Sequence, residues 1–166
     1  MFTDRIRWTW KLFSPCLCAS VVIALLGELS TVEAGKNSAS VVKTTAVAGK
    51  IDAAGNQTVT VTLAIDKDWH TYANPVNYAD LDTVKTVVVI NAKAKPADVK
   101  IQYPAGKLHQ DQGGAKYLIY EDKISIQAVV TRAAGDTSPL DVEVRFNACH
   151  IKGVCLPSGS VNLKLP

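Results

Sequence analysis

The sequence predicts an all-β domain with an immunoglobulin-like antiparallel β-sandwich fold, and three observations favour this class. After the first 34 residues, apolar and polar residues alternate with a period of two over much of the chain, as in half-buried strands. Clusters rich in glycine, proline and asparagine separate these segments. No segment carries an amphipathic helical pattern of useful length. Roughly seven to nine short strands in about 130 residues are typical of a sandwich or a small barrel, and we favour the sandwich.

Four segments show the alternation most clearly, each with apolar side chains on one face and mostly polar ones on the other. Their apolar positions are Val59, Val61, Leu63 and Ile65; Ile124, Ile126, Ala128 and Val130; Val142, Val144, Phe146 and Ala148; and Val161, Leu163 and Leu165. Residues 35–40 are small and polar, and they predict a flexible entry to the first strand. A domain of this size can bury a core that needs no covalent cross-link.

The first 34 residues predict a signal peptide that is cleaved before Gly35. Three basic residues precede an apolar run over residues 17–26, and Ala34 supplies a small residue of the kind that a signal peptidase reads. The run is shorter than the roughly 20 residues needed to span a bilayer, which favours a cleaved leader over a membrane anchor. Residues 1–34 are thus interpreted as the signal peptide and residues 35–166 as the mature domain, periplasmic or otherwise exported.

The charge of the domain argues against a nucleic-acid partner. The leader carries as many acidic as basic residues, so the remainder keeps the formal charge of +3. This excess is mild, and no run of five or six basic residues occurs in it. Contact with a membrane is expected only through the leader, if the leader stays uncleaved.

Cys149 and Cys155 are the cysteines that remain once the leader, with Cys16 and Cys18, is set aside. Outside the cytoplasm such a pair can persist as a disulfide. The two cysteines lie where one predicted strand ends and before another begins. Because Ala148 shares the parity of the apolar face, Cys149 is expected to point away from the core. A surface-facing local pair can exchange with the disulfide of a partner.

Spacing alone leaves three alternatives to a redox-active pair. A purely structural disulfide would close a short loop, with a stabilisation of roughly 2.4 kcal/mol at most. A metal site would combine the two cysteines with His150 and either His109 or His70, and copper would suit it better than zinc because the cysteine spacing differs from that of common zinc sites. A cysteine nucleophile would need an unpaired thiolate beside a histidine, whereas two neighbouring cysteines tend to oxidise each other.

Residues 146–157 resemble the cysteine motif of the N-terminal periplasmic domain of DsbD, the thiol:disulfide interchange protein, in which five residues separate the two cysteines. Two further blocks extend the resemblance. Residues 107–130 are similar to the family's stretch with the active-site cap loop, and residues 61–77 are similar to the strand that runs beside the active site. The resemblance therefore covers most of residues 35–166.

The resemblance implies an immunoglobulin-like fold with the cysteines in a hairpin at one edge. It implies no cofactor other than the redox-active disulfide itself. By position, Cys155 would form the mixed disulfide with a partner, and Cys149 would resolve it. Asp111 matches an acidic residue of the cap loop, whose charge would raise a thiol pKa. Tyr72 matches an aromatic residue that flanks the site.

The other expected neighbours of the pair are His109 in the cap-loop block, His150 between the cysteines, and Gly113. Gly113 stands where the family's cap loop presents an aromatic residue over the disulfide, and Gln112 replaces a second acidic residue. The pair is thus expected to be more exposed than in the family, or to be covered by Tyr117.

The resemblance also implies partners. The domain would accept electrons from a thioredoxin-like protein or a membrane electron transporter, and would pass them to a periplasmic disulfide isomerase or a cytochrome c maturation thioredoxin. Because the sequence ends at Pro166, without the family's membrane and thioredoxin-like domains, these partners are expected to act in trans. The alternative function is an immunoglobulin-like binding or scaffold domain whose hairpin disulfide is only structural.

Overall fold

The computed structural model describes residues 36–166, so the predicted signal peptide lies outside the described residues. This part of the chain contains eleven strands and two short 3₁₀ helices. The strands are β1 (Val42–Ile51), β2 (Asn56–Ile65), β3 (Trp69–Tyr72), β4 (Val87–Ala92), β5 (Asp98–Gln102), β6 (Lys107–Gln110), β7 (Lys116–Tyr120), β8 (Lys123–Thr131), β9 (Leu140–Phe146), β10 (Ala148–His150) and β11 (Gly159–Leu165); the helices span Ser38–Ser40 and Ala79–Val84.

The strands form three antiparallel sheets with the orders β1-β2-β8-β5, β10-β3-β7-β6 and β11-β9-β4. Together they make the predicted immunoglobulin-like antiparallel β-sandwich. The strand number exceeds the predicted seven to nine because β3, β6 and β10 have only three or four residues each. These short strands fall in segments whose polar residues, aromatic residues or cysteines interrupt the alternation.

The main core lies between the first sheet and the third, and the four alternating segments supply most of it. Val59, Val61 and Leu63 of β2 are fully buried, and the apolar residues on the inward faces of β8 and β9 are buried or half-buried with them. The polar partners on the opposite face of β2 are half-buried or exposed. The period-two pattern therefore predicted both the strands and the faces that they bury.

The second sheet buries apolar side chains on both of its faces. Ala148 of β10 and Tyr120 of β7 point into the main core. Residues of the opposite parity form a second cluster, which consists of Tyr72, Val76, Tyr117, Ile119 and Cys149. Successive residues of a strand point to opposite faces, so a short strand between two apolar layers contributes to both of them.

The expected flexible entry is wrong for the part that the structure describes. Residues Ser38–Ser40 form a 3₁₀ helix, and the side chain of Asn37 caps it by accepting a hydrogen bond from the amide of Ala39. Ser38 is fully buried, and its amide donates to the carbonyl of Pro157 at 3.0 Å. Buried backbone groups need hydrogen-bond partners, and here they find them in Asn37 and Pro157. These bonds give the segment a defined conformation although its residues are small and polar.

Within residues 36–166, no helix is long and apolar enough to cross a membrane.

Candidate functional site

The backbone places Cys149 and Cys155 directly opposite each other. Cys149 lies in β10, and Cys155 forms an isolated antiparallel bridge with it. Backbone hydrogen bonds of 2.7 and 2.9 Å flank the pair on either side, and the two Cα atoms are 3.9 Å apart. A disulfide joins the sulfurs. The backbone pairing thus places the two cysteines opposite each other, in addition to the covalent bond between them.

A tight turn joins the two arms of this cysteine hairpin. Gly153 has a φ of 82°, in the left-handed region that glycine adopts without strain. The amide of Lys152 donates to Nδ1 of His150 at 3.2 Å, and the amide of Ile151 donates to the carbonyl of Asp68 at 3.0 Å. The second of these bonds ties the hairpin to the turn between β2 and β3. The turn therefore has a defined position relative to β3.

The two cysteine residues differ in their exposure to solvent. Cys149 is only 3% exposed, whereas Cys155 belongs to an exposed stretch. The expectation of a surface-facing pair is therefore wrong for Cys149. The residue does point away from the main core, as its parity predicted, but the second cluster covers it on that side, with Tyr72 and Tyr117 among its members. One cysteine of the pair is accessible and the other is shielded.

The hydroxyl of Tyr72 lies beside both sulfurs. It is 3.2 Å from Sγ of Cys149 and 4.0 Å from Sγ of Cys155. Burial, and then the negative charge of Asp111, raises the pKa of Tyr72 above its ordinary value. The phenol is therefore protonated at neutral pH and can donate a hydrogen bond to a sulfur. Tyr72, which the resemblance predicted as a neighbour of the pair, thus contacts both sulfurs.

His70 is directly opposite Cys149 in the pairing of β3 with β10. Its side chain is buried, and neither ring nitrogen has a hydrogen-bond partner among the described residues. Burial is the main cause that lowers the pKa of His70 to about 4, and the charges of His109 and His150 lower it further against an opposing effect of Glu121. The sequence suggested His70 only as an alternative metal ligand, because its register with Cys149 cannot be read from the chain.

The predicted cap loop is the connection between β6 and β7. The loop begins after Gln110, the last residue of β6, and ends before Lys116, the first residue of β7. Oδ1 of Asp111 accepts a hydrogen bond from the amide of Ala115 at 2.9 Å, which holds the carboxylate in the turn. A Cβ atom added at Gly113 would lie 3.3 Å from the same oxygen. The loop thus carries a carboxylate at Asp111 and no side chain at Gly113, the position at which the resemblance implied an aromatic cap.

Aromatic rings connect the cap loop to the cysteines. The rings of His109 and Tyr117 lie 5.2 Å apart across β6 and β7. Tyr117 is in turn 5.7 Å from the ring of Tyr72, and His109 is 5.1 Å from that of His70. Tyr117 belongs to the cluster that buries Cys149, in line with the alternative that it covers part of the pair.

All of the predicted site residues line a single cavity of about 330 Å³. The set comprises Tyr72, His109, Asp111, Gly113, Cys149, His150 and Cys155. The ring of His150 packs edge-on against the ring of Trp69 at 5.1 Å. The structure also adds His70 to the walls of this cavity.

Across residues 36–166, no group of three or more histidine, cysteine, aspartate or glutamate side chains is arranged to hold a metal ion. The disulfide between Cys149 and Cys155 lines the cavity.

Fold and site define an immunoglobulin-like domain that carries a half-buried disulfide in an edge hairpin. The chain belongs to the family described as the N-terminal domain of the thiol:disulfide interchange protein DsbD, whose model matches residues 38–165. No curated protein sequence matches the chain at a significant level.

Two solved structures share this fold. The N-terminal periplasmic domain of ScsB from Proteus mirabilis superimposes with a TM-score of 0.55 at 17% identity, over 74% of this chain and 46% of that one. The N-terminal domain of DsbD from Neisseria meningitidis, in the reduced form, gives a TM-score of 0.52 at 14% identity, over 78% of this chain and 87% of that one. This chain therefore matches less than half of the ScsB chain.

Proposed function

We propose that the domain is an exported thiol–disulfide interchange module that carries electrons through Cys149 and Cys155. The observation that carries the proposal is the asymmetric disulfide, which joins an exposed cysteine to a buried one, in a chain of the DsbD N-terminal family. An exposed cysteine bonded to a buried one suits exchange through a single mixed disulfide, which forms at the exposed residue.

In the direction that reduces a substrate, the Cys155 thiolate attacks a sulfur of the substrate disulfide. The substrate's other sulfur leaves with the electron pair and takes up a proton. The Cys149 thiol then loses its proton, attacks Sγ of Cys155, and displaces the substrate's remaining sulfur as a thiolate, which is protonated in turn. The domain ends as a disulfide and the substrate as two thiols. Exposure of Cys155 and burial of Cys149 support this assignment of roles.

Asp111 and Tyr72 act on the thiols in opposite directions in this proposal. Burial is the main cause that raises the pKa of Tyr72 and of Tyr117, and the charge of Asp111 makes a smaller contribution in the same direction to both. The same charge disfavours a thiolate and restrains unselective reaction, whereas the Tyr72 hydroxyl stabilises one. Together these groups keep the pair reactive toward a docked partner and less reactive toward small thiols and oxidants.

The partners that this role requires are a donor and an acceptor of electrons. The donor is a thioredoxin-like protein or a membrane electron transporter that acts in trans. The acceptor is an envelope protein such as a disulfide isomerase or a cytochrome c maturation thioredoxin. Ile151 and Val154, which are 56% and 61% exposed, lie in the same hairpin as Cys155 and offer apolar surface for the docking of either protein. The periplasmic origin of the ScsB domain supports an exported location.

The reduction potential of the purified protein separates an electron carrier from a domain with a structural disulfide. A carrier should equilibrate between roughly −270 and −180 mV, whereas structural disulfides lie below about −300 mV. Equilibration against a glutathione redox buffer, read by alkylation of free thiols, measures it. Because Cys16 and Cys18 would also react, both are replaced by serine in every protein compared. A potential below about −300 mV contradicts the carrier role.

Trapping of mixed disulfides tests the assignment of roles. Cys149→Ala leaves the accessible Cys155 without its resolving thiol, so mixed disulfides with a thioredoxin-like protein should accumulate and be visible on non-reducing gels. Cys155→Ala is the matched control and should trap little, because Cys149 is buried. Accumulation in Cys155→Ala alone would reverse the roles.

A further inference from the structure

We infer that the imidazole of His70 is a hydrogen-bond partner of the Cys149 sulfur in the reduced protein, and that it favours the reduced state of the pair. This inference rests on the proposed function of the cysteines. It assigns a role to a residue that neither the cysteine motif nor the cap loop contains.

The pairing of β3 with β10 brings the two side chains together. His70 and Cys149 are direct partners in this antiparallel register. Side chains of directly opposite residues project from the same face of a sheet, with Cβ atoms about 5 Å apart. Both residues are 3% exposed, and both line the same cavity. The imidazole is therefore within reach of the sulfur after small movements of either side chain.

His70 lacks a partner in the disulfide state. Its Nδ1 and Nε2 atoms are buried without a hydrogen bond to any described residue, and a buried polar group without a partner raises the free energy of the state that contains it. Reduction changes what Cys149 can offer. The disulfide sulfur carries no proton, whereas a thiol donates weakly and a thiolate is a strong acceptor. A partner for the imidazole thus becomes available when the disulfide opens.

The protonation state of His70 suits this role. Burial keeps the pKa of the ring at about 4, so the imidazole is neutral near pH 7. A neutral imidazole has one N–H donor and one acceptor nitrogen, and it can accept from a thiol or donate to a thiolate. Since the Tyr72 hydroxyl lies 3.2 Å from the same sulfur, Cys149 would have two partners in the reduced protein.

The chemical step affected is the opening of the disulfide. A thiolate of the electron donor attacks Sγ of Cys155, the bond to Cys149 breaks, and the electron pair leaves on the Cys149 sulfur. The N–H of His70 then donates to this thiolate until it takes up a proton from solvent. An interaction that exists only in the reduced state makes the disulfide easier to reduce, that is, it raises the reduction potential.

Substitutions at His70 test the thermodynamic effect. His70→Leu removes both ring nitrogens, and His70→Gln keeps a donor and an acceptor. The matched control is Thr71→Val, which changes a buried polar residue of the same strand on the opposite face. All proteins carry serine at positions 16 and 18.

The equilibrium constant with glutathione should shift toward the disulfide by about tenfold in His70→Leu, which corresponds to a reduction potential lower by about 30 mV. It should shift less in His70→Gln and stay within about twofold in Thr71→Val.

A His70→Leu constant within about twofold of the native one overturns the inference. If the native disulfide does not equilibrate with glutathione at all, the proposed function fails instead, so the two failures are distinguishable.

A measurement on the native protein avoids any dependence on the folding of variants. Nitrogen-15 NMR of labelled histidine reports hydrogen bonding at each ring nitrogen, and the spectrum of His70→Gln identifies the His70 signals. One ring nitrogen of His70 should change its chemical shift when the disulfide is reduced. Identical His70 shifts in both redox states overturn the inference.

Discussion

The hydroxyl of Tyr72 lies 3.2 Å from the sulfur of Cys149 and 4.0 Å from that of Cys155, so one buried phenol reaches both atoms of the disulfide. Because burial and the charge of Asp111 raise its pKa, this phenol keeps its proton at neutral pH. It can therefore donate to whichever sulfur carries negative charge during exchange. The contact depends on the pairing of β3 with β10, two strands that are 75 residues or more apart in sequence.

Removal of this hydroxyl should slow the opening of the disulfide. A hydrogen bond to a charged group contributes about 1.5–3 kcal/mol, which corresponds to a roughly 10- to 100-fold lower rate if the bond forms in the transition state. We expect Tyr72→Phe to show such a decrease in the second-order rate of reduction by dithiothreitol. Tyr117→Phe is the matched control, since Tyr117 lies in the same cluster but forms no hydrogen bond to either sulfur. Equal rates for the two variants would contradict the role of Tyr72.

Ser38 should stabilise the base of the cysteine hairpin. Its Oγ accepts from the amide of Ala148 and donates to the carbonyl of Pro157, each at 2.8 Å, so it bridges the two arms next to the cysteines. Ser38→Ala leaves the buried amide of Ala148 unpaired, which should lower the free energy of unfolding by about 1–3 kcal/mol. Urea unfolding of the oxidised protein measures this.

Ser40→Ala is the control for Ser38, because the exposed hydroxyl of Ser40 bonds only to the nearby carbonyl of Asn37. It should change the free energy of unfolding by no more than about 0.5 kcal/mol. Equal losses in both variants would mean that Ser38 does not bridge the hairpin.

The parts of the fold that could be predicted from sequence follow from the geometry of a single strand. Alternation in β2 and β8 identifies strands and their buried faces because successive side chains must point in opposite directions. The same alternation correctly predicted that the side chain of Cys149 points away from the main core. It could not predict the burial of Cys149, because the second cluster draws on β3, β7 and the segment around Val76, which are brought together only by tertiary pairing.

The same limit explains the other differences. The bridge from Ser38 to Ala148 joins residues 110 positions apart, and nothing in the local composition of residues 35–40 indicates it. The site residues taken from the family resemblance line one cavity. His70 lines the same cavity but was not predicted as a site residue, because its position beside Cys149 depends on the register of β3 and β10. Properties that arise from the pairing of distant strands were therefore the ones that sequence patterns missed.

A phenylalanine at position 113 should restrict access to the disulfide. Gly113 lines the cavity that contains both cysteines, and a ring there would fill part of its volume of about 330 Å³. We expect Gly113→Phe to slow the reaction of the reduced pair with a small oxidant such as hydrogen peroxide by several-fold. Gly113→Ala is the control, because it introduces the same contact of Cβ with Asp111 but no ring. An unchanged rate in Gly113→Phe would mean that the loop does not cover the pair.

Protonation of His70 should make the oxidised protein less stable in mild acid. Its pKa is about 4 in the folded protein and near 6.5 when unfolded, so the unfolded state binds the proton first as the pH falls. The contribution of the neutral ring to the free energy of unfolding is fully present above pH 6.5, and it decreases progressively as the pH falls toward 4. Between pH 7.5 and pH 5 this linkage amounts to about 2 kcal/mol.

Urea unfolding of the native protein and of His70→Gln at pH 7.5 and pH 5 isolates the contribution of His70, because other titrating groups contribute equally to both proteins. The native protein should lose about 2 kcal/mol more than the variant, and equal losses would contradict a buried neutral His70.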